Sequence, residues 1–306
     1  MAISSMTQAA AGRRRRWFSA RARLITLFCI LVLPALALRL FTAVWPIIAT
    51  IDWSFRRVDA MGAGNYVGFA NYSRFLGDQV MTASFSFTFW YVIASTILQI
   101  CLGLLVSLLL NAAFKGRAIA RSINLIPWAV PLIVAAMGFR WLLDDQYGLI
   151  NDLLIRVGLP PVHWLIQADT ARLGVIAANV WRNTPFIAMI FLAGLQGIPQ
   201  DLYEAAQLDG AGPVQLFRYV TLPLVLPLVI TMSMFFAIWQ LASFDLIYGM
   251  TQGGPGFATS VLAWQIYKQA FQAFNFGYAS AISVVLLLVI ALFGAFGYML
   301  FRTRQV

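Results

Sequence analysis

Three polar residues, Asn179, Arg182 and Asn183, share one helical face in an otherwise apolar run, just before Pro185. They offer a guanidinium and two carboxamides, chemistry that suits the hydroxyls of a sugar or the oxygens of a phosphate. A second group, Trp239, Gln240, Ser243 and Phe244, closes a later apolar run and adds aromatic faces of the kind that pack on sugar rings. Both groups have a plainer reading beside this one. The first could be a hydrogen-bonded packing network between helices, and Trp239 could belong to an interfacial aromatic belt. The sequence contains no G-x-x-x-x-G-K-[ST], so the chain does not itself cradle the phosphates of ATP. His163, the only histidine, reads as a residue of a wet loop. Cys29 and Cys101 lie in apolar runs without a spaced partner, so no disulfide or metal framework is implied.

The elements that must position these groups are membrane spans. The chain has 306 residues, 61% hydrophobic and only 10% charged, and several apolar runs exceed the ~20 residues that cross a bilayer as a helix. Six spans are expected, at 24–51, 85–110, 122–143, 172–197, 222–244 and 276–301, with kinks at Pro127 and Pro131 in the third. The fold expected is therefore all-α and integral to the membrane. Residues 1–23 form a basic cytoplasmic tail, the first twelve without structure, and residues 24–306 one six-span domain. Ala35-Leu36-Ala37 has the look of a signal-peptidase site, but apolar sequence runs on to Ile51, too far for a cleaved signal. The first span is therefore expected to be retained.

The net charge of +10 comes from nineteen arginines and two lysines against eleven acids. In a soluble protein that would suggest nucleic acid; here its distribution gives a different account. With the N-terminus inside, twelve Arg/Lys fall in cytoplasmic segments, including the block Arg13–Arg16, Arg21 and Arg23. Six fall outside, five in the connections 52–83, 144–171 and 245–275 and the sixth, Arg172, at the start of the fourth span; the same connections hold eight of the eleven acids. This bias satisfies the positive-inside rule and places both termini in the cytoplasm. No Asp or Glu lies near the middle of a span, which removes the usual proton or sodium relay of a secondary transporter. Arg39 lies deep in the first span without an acidic neighbour in sequence, a position suited to meeting a partner subunit. Arg140 and Asp144, at i and i+4, read as a snorkelling pair at the outer surface.

One cytoplasmic connection is not merely polar. Residues 198–223 read IPQDLYEAAQLDGAGPVQLFRYVTLP and hold the only glutamate, Glu204, flanked by Asp201 and Asp209. Pro199 suits a first helical turn, 200–208 contains good helix formers, and Asp209-Gly210 is a stop. A second short helix over 214–220 would precede Leu222-Pro223 and the fifth span. Leu202, Ala205 and Ala206 fall on one face, where the alanines admit another backbone closely. The elbow looks built to be gripped.

Glu204-Ala205-Ala206, Gly210, and Val220-Thr221-Leu222-Pro223 stand at the spacing E-A-A-x3-G-x9-I-x-L-P. This resembles the loop of binding-protein-dependent ABC importer permeases, with Val220 as the only departure. VGFANYSRFL, WLLDDQYGLINDLL, AGLQGIPQDLYEAAQLDGA and TQGGPGFATS extend the resemblance, within that family, to maltose/glycerol-phosphate-type sugar permeases on the maltose F-subunit side. It implies a MetI-like type I importer fold whose loop 198–221 docks on a cytoplasmic ATPase through Leu202, Glu204, Ala205, Ala206, Asp209 and Gly210. Asn179, Arg182, Asn183, Trp239, Gln240, Ser243 and Phe244 would border the substrate path. It further implies a heterodimer with a second permease, two ATPase subunits that carry the ATP and magnesium, and an extracytoplasmic binding protein. The assembly would sit in the bacterial cytoplasmic membrane, with no cofactor on this chain and no chemical change to the substrate. A sugar is the substrate expected, and glycerol phosphate the alternative. An ion-coupled carrier or a membrane scaffold would account for fewer of these features.

Overall fold

A computed structural model describes residues 2–302, and side chains over 22–299 apart from residues 63 and 298. The basic block Arg13–Arg16 with Arg21, and Arg302 and Arg304, lie outside the described side chains. The chain divides into two units, residues 1–53 and 54–306. The first is one helix, α1 (Ala2–Ser54), whose apolar part Ala22–Ser54 is long enough to span a bilayer. Its first residues, expected to be without structure, are helical; Ala, Met and Gln there are good helix formers.

The second unit opens with a hairpin, β1 (Arg56–Asp59) and β2 (Gly62–Tyr66), then α2 (Ala70–Gly77). Arg56 pairs with Tyr66 and Asp59 with Gly62. Phe55, Phe69 and Tyr72 pack beside it, and the Asn71 carboxamide donates to the Ser54 and Arg56 carbonyls at 2.8 and 3.0 Å. The connection 52–83 is thus ordered rather than an open loop. It is also shorter than expected, because α3 (Gln79–Asn111) begins six residues before 85, where the Asp78 carboxylate accepts the Val80 amide at 2.8 Å. That carboxylate satisfies one of the four orphan N–H groups at the helix start.

α4 (Arg117–Asn124), α5 (Ile126–Ala129) and α6 (Leu132–Leu142) occupy the expected third span. They form a broken pair, bent by 89° between Ala129 and Leu132, rather than one kinked helix. Pro131 has no amide to continue the helix and holds Val130 extended, so the break falls where two proline effects coincide. α7 (Leu149–Arg156) follows, then α8 (Ala168–Gln196), α9 (Gln200–Leu208) and α10 (Pro213–Leu216). A π-turn over Phe217–Thr221 leads into α11 (Leu222–Leu241); α12 (Asp245–Met250), α13 (Leu262–Tyr267) and α14 (Phe276–Arg302) complete the chain. Among the described residues, five helices and the one bent pair are long and apolar enough to cross a membrane.

The unit is held by α3 against α8. Ser95, Gln99, Gly103 and Ser107 recur at helical spacing on the buried face of α3, and small residues of this kind let membrane helices approach closely. A Cβ at Gly103 would lie 2.7 Å from Ile187 Cγ2, so the contact needs glycine. The connection 245–275 folds back into the core: Leu246, Ile247, Leu262 and Trp264 are buried with Tyr91 and Tyr278. Thr88 of α3 accepts the Leu262 amide at 3.0 Å, and Ser84 donates to Ser260 at 2.8 Å. In the connection 144–171 the Asn151 carboxamide accepts the Val162 amide and the Trp164 indole and donates to the Val162 carbonyl. Asn151 therefore knots that segment together.

Candidate functional site

The elbow forms as its residues dictate. α9 covers 200–208, with Pro199 extended immediately before it rather than inside its first turn. Gly210 closes the helix at φ +85°, the left-handed conformation that costs a side chain about 1–2 kcal/mol. The Ala211 amide then reaches the Ala206 carbonyl at 2.9 Å, and Gly210 that of Gln207 at 3.0 Å. Gln215 folds back onto the Gly212 amide at 2.8 Å to start α10. The second short helix expected over 214–220 is not separate: α10, the π-turn and α11 run on as one element. Pro223 supplies no amide, and the Thr221 hydroxyl donates to the Leu216 carbonyl at 3.3 Å, which suits the wider π-turn.

Two faces of α9 have different fates. Glu204, Ala205 and Asp209 are exposed, as is Leu202 at 44%. Ala206 is half-buried. Gln200 donates to Glu204 at 2.9 Å, which holds the carboxylate without covering it. Two further apolar side chains, Leu208 at 89% and Val214 at 78%, extend this exposed surface across the turn. Sequence reasoning passed over both, although an apolar residue on each side of an Asp-Gly stop was the available signal. Tyr203 faces inward and reaches the buried Thr221, oxygen to oxygen 3.0 Å. Tyr203 was also missed.

The polar group of α8 lies inside the unit. Asn179, Asn183 and Gln240 are all buried. Asn179 donates to the Gln240 carbonyl oxygen at 2.6 Å, Asn183 to Asn179 at 2.7 Å, and Arg182 to Asn183 at 2.9 Å. Gln240 donates to Thr96 at 2.9 Å and to Gln99 at 3.3 Å, and Gln99 donates to the Asn179 backbone carbonyl at 3.1 Å. The network joins α3, α8 and α11, and each carboxamide within it finds a partner for oxygen and nitrogen alike. Thr96 and Gln99 have no sequence signature that would have joined them to it.

The other expected residues diverge. Trp239 is 63% exposed and stacks on Phe235, because adjacent helical positions point about 100° apart. Ser243 meets the Tyr91 hydroxyl at 3.2 Å. Phe244 joins an aromatic stack with Tyr248, Trp264 and Tyr267. Arg182 is half-buried, and its Nε is buried without a partner. Structure thus brings Asn179, Arg182, Asn183 and Gln240 together and sets the remaining three around them on separate neighbours.

In the connection 144–171, Asp144 accepts the Gln146 and Tyr147 amides at 2.9 and 3.2 Å. These bonds, the Gln146 amide first, hold its carboxyl below the usual carboxylate range, with Arg140 assisting through space. His163 is exposed and pairs with Asp145 at 2.8 Å. Among the described residues no group of His, Cys, Asp or Glu could hold a metal ion.

Apolar spans, a broken third span and an elbow with an exposed acidic and apolar face fit a subunit of a membrane transport system. Residues 99–305 match the family described as binding-protein-dependent transport system inner membrane component, and the chain belongs to that family. It is 38% identical over 268 residues to the trehalose/maltose transport system permease protein MalF of Thermococcus litoralis, covering 86% of this chain and 90% of that one. It is 34% identical over 280 residues to the sulfoquinovosyl glycerol transport system permease protein SmoG of Agrobacterium fabrum, covering 90% and 89%. In fold it is similar to a chain of a bacterial alginate ABC transporter solved in complex with an alginate pentasaccharide-bound periplasmic protein. The TM-score is 0.81 at 21% identity, over 91% of this chain and 94% of that one.

Proposed function

We propose that the chain is one of two permease subunits of an ATP-driven importer that carries a sugar or related carbohydrate across the bacterial cytoplasmic membrane. The observation that carries this reading is the elbow. α9 exposes Leu202, Glu204, Ala205 and Asp209 while Tyr203 ties it to the foot of α11. A partner that grips the exposed face therefore pulls on a membrane helix. The partner is a cytoplasmic ATPase, present twice, which holds the ATP and magnesium that this chain lacks a motif to bind. Ala206, half-buried, and Gly210, at the turn, set how closely the partner approaches. Closure of the two ATPases rocks this chain and its companion permease between outward- and inward-open states, and substrate passes between the two subunits unchanged. An extracytoplasmic binding protein delivers it to the connections 52–83, 144–171 and 245–275. Both termini are cytoplasmic.

Within the membrane, Trp239 is exposed and Arg182, Ser243 and Phe244 are half-buried, so these four, unlike the buried Asn179, Asn183 and Gln240, are open enough to touch substrate. Asn179, Asn183 and Gln240 hold Arg182 from behind, and Ser243 and Phe244 border the same region. The relatives' names support a carbohydrate. One observation favours a second reading: the unpartnered Nε of Arg182 could serve an anion such as glycerol phosphate. Titrating the partner binding protein with a sugar panel and with glycerol phosphate separates the two. Binding and stimulated uptake of a neutral sugar support the first reading, and a response to glycerol phosphate alone replaces it with the second.

A further inference from the structure

Asp245 is the first residue of α12, a helix pressed into the bundle rather than left on its surface. At Gly249 a Cβ would lie 2.6 Å from the Cβ of Ala136 on α6, and Leu246, Ile247, Gly249 and Met250 are all buried. Asp245 and Tyr248 are the exposed members of α12, three residues apart and so on one face. Among the described residues, the Asp245 carboxylate has no hydrogen-bond or ion-pair partner. Arg182 of α8 is near enough for the two charges to act on each other, yet they form no ion pair. A carboxylate left so on a segment that re-enters an apolar bundle stands in water or against a ligand, because hydrocarbon would not hold it.

The ring beside that carboxylate is held firmly. Tyr248 stacks on Phe244, with ring centroids 5.3 Å apart and planes at 22°. It also meets Trp264 at 6.0 Å and Tyr267 edge-on at 5.7 Å. Trp264 is 4% exposed and Tyr248 38%, so the cluster has a buried backing and an open side. Phe244 directly follows Ser243, so the open side continues the group assigned to the substrate path. An ionised carboxylate only accepts hydrogen bonds, and those it takes from hydroxyls are charge-assisted. A fixed aromatic ring next to it gives the apolar C–H face of a pyranose a surface to lie on. A phosphate brought to the same place would meet a like charge.

We propose that Asp245 and Tyr248 form a further subsite for a neutral pyranose, with the sugar ring on Tyr248 and its hydroxyls donating to Asp245. This rests on the reading of the chain as a carbohydrate permease. The subsite receives the sugar on the extracytoplasmic side of Arg182 and Trp239 and favours neutral sugars over anionic ones.

The test uses the complete complex in proteoliposomes, with ATP and saturating loaded binding protein. The probes are the neutral sugar of the panel that the parent complex imports fastest and the monodeoxy analogues of that sugar. The inference expects Asp245→Asn, which keeps the side chain's shape, and Tyr248→Leu each to lower uptake about tenfold, and Tyr248→Phe to stay within about twofold of the parent. The binding-protein concentration that half-saturates ATP hydrolysis, and the companion permease recovered on purification, stay unchanged. At least one monodeoxy analogue is imported about tenfold more slowly by the parent and loses nothing further in Asp245→Asn. Parent-like uptake in Asp245→Asn or in Tyr248→Leu overturns the inference, as does a loss in Asp245→Asn that adds in full to that of every analogue. A loss that shows itself as a higher demand for binding protein, or as missing companion permease, assigns this face to protein docking and overturns it too. If the parent imports no neutral sugar, the carbohydrate reading falls with it. If the parent imports one and both substitutions leave the rate unchanged, the inference alone falls.

Discussion

The Tyr203 and Thr221 hydroxyls lie 3.0 Å apart, so a helix of the elbow is hydrogen-bonded to the foot of the fifth membrane helix. Thr221 is 5% exposed and also reaches the Leu216 carbonyl, which places the junction where α10, the π-turn and α11 become one element. A force on α9 has a short path into the membrane.

Tyr203→Phe removes the link and leaves the ring. A hydrogen bond of this kind contributes about 1 kcal/mol, enough to loosen the junction without unfolding it. We expect the variant to retain the ATPase on purification but to consume more ATP per substrate molecule imported. Thr221→Val also gives up the Leu216 bond and should be at least as impaired, and the double variant should be no worse than Thr221→Val, in which the Tyr203 link is already gone. Additive losses would mean that the two hydroxyls act independently.

Glu204→Ala and Gly210→Val act on the exposed face and on the turn that presents it. Removing one member of a docked charge pair costs about 2–5 kcal/mol. Valine at φ +85° adds strain, worth about 1–2 kcal/mol. Both variants should insert normally and recover less ATPase on co-purification. Full recovery in the double variant would take docking away from this face.

How much of this was legible in the sequence depends on what each residue answers to. α9 was readable to the residue because proline, good helix formers and Asp-Gly are local signals. The spans were readable because a long apolar run has one solution in a bilayer. The start of α3 was not, since Gln79, Thr82, Ser84 and Ser86 look like loop residues until Asp78 is seen to cap the helix and Ser84 to meet Ser260. Nor was the 89° break: proline announces a kink, while its size depends on what the two halves pack against. Asn179 and Gln240 were singled out as polar groups in apolar helices, but only the fold could say that they face each other. Adjacent in sequence, Trp239 and Gln240 point different ways.

Gln240→Ala and Arg182→Ala should therefore differ. The first strands Asn179, Thr96 and Gln99 in the interior, at about 1–3 kcal/mol for each buried group left without a partner. It should lower the thermal stability of the purified complex as well as uptake. Arg182→Ala should lower uptake at near-unchanged stability. Equal melting temperatures for both variants, with parent uptake, would separate the network from transport.

Gly103→Leu should prevent close approach of α3 and α8, since even a Cβ would stand 2.7 Å from Ile187. Overpacking of this kind costs about 1–3 kcal/mol and more where backbones touch. The expected result is protease-sensitive protein in the membrane. Parent-like stability would show that the helices can slide apart without penalty.

The turn at Asp144 has a pH dependence of known sign. Its carboxyl is held below the ordinary value by the Gln146 amide above all, so the folded turn favours the charged form. Its contribution is present above the ordinary carboxylate range and is lost as pH falls through the lowered value. Hydrogen exchange at Gln146 and Tyr147 should speed up relative to the rest of the turn on acidification, and Asp144→Asn should abolish that change.

The account's central claim is that this chain is a permease driven through its elbow by a separate ATPase. Proteoliposomes holding this chain, the companion permease and the ATPase, with binding protein and sugar supplied outside, test it most directly through paired rates of ATP hydrolysis and sugar uptake. We expect binding protein plus sugar to stimulate both in the parent complex, and Glu204→Ala to lower both together. Sugar uptake by this chain alone under an ion gradient, or uptake that continues unchanged when the ATPase is left out, would contradict the account.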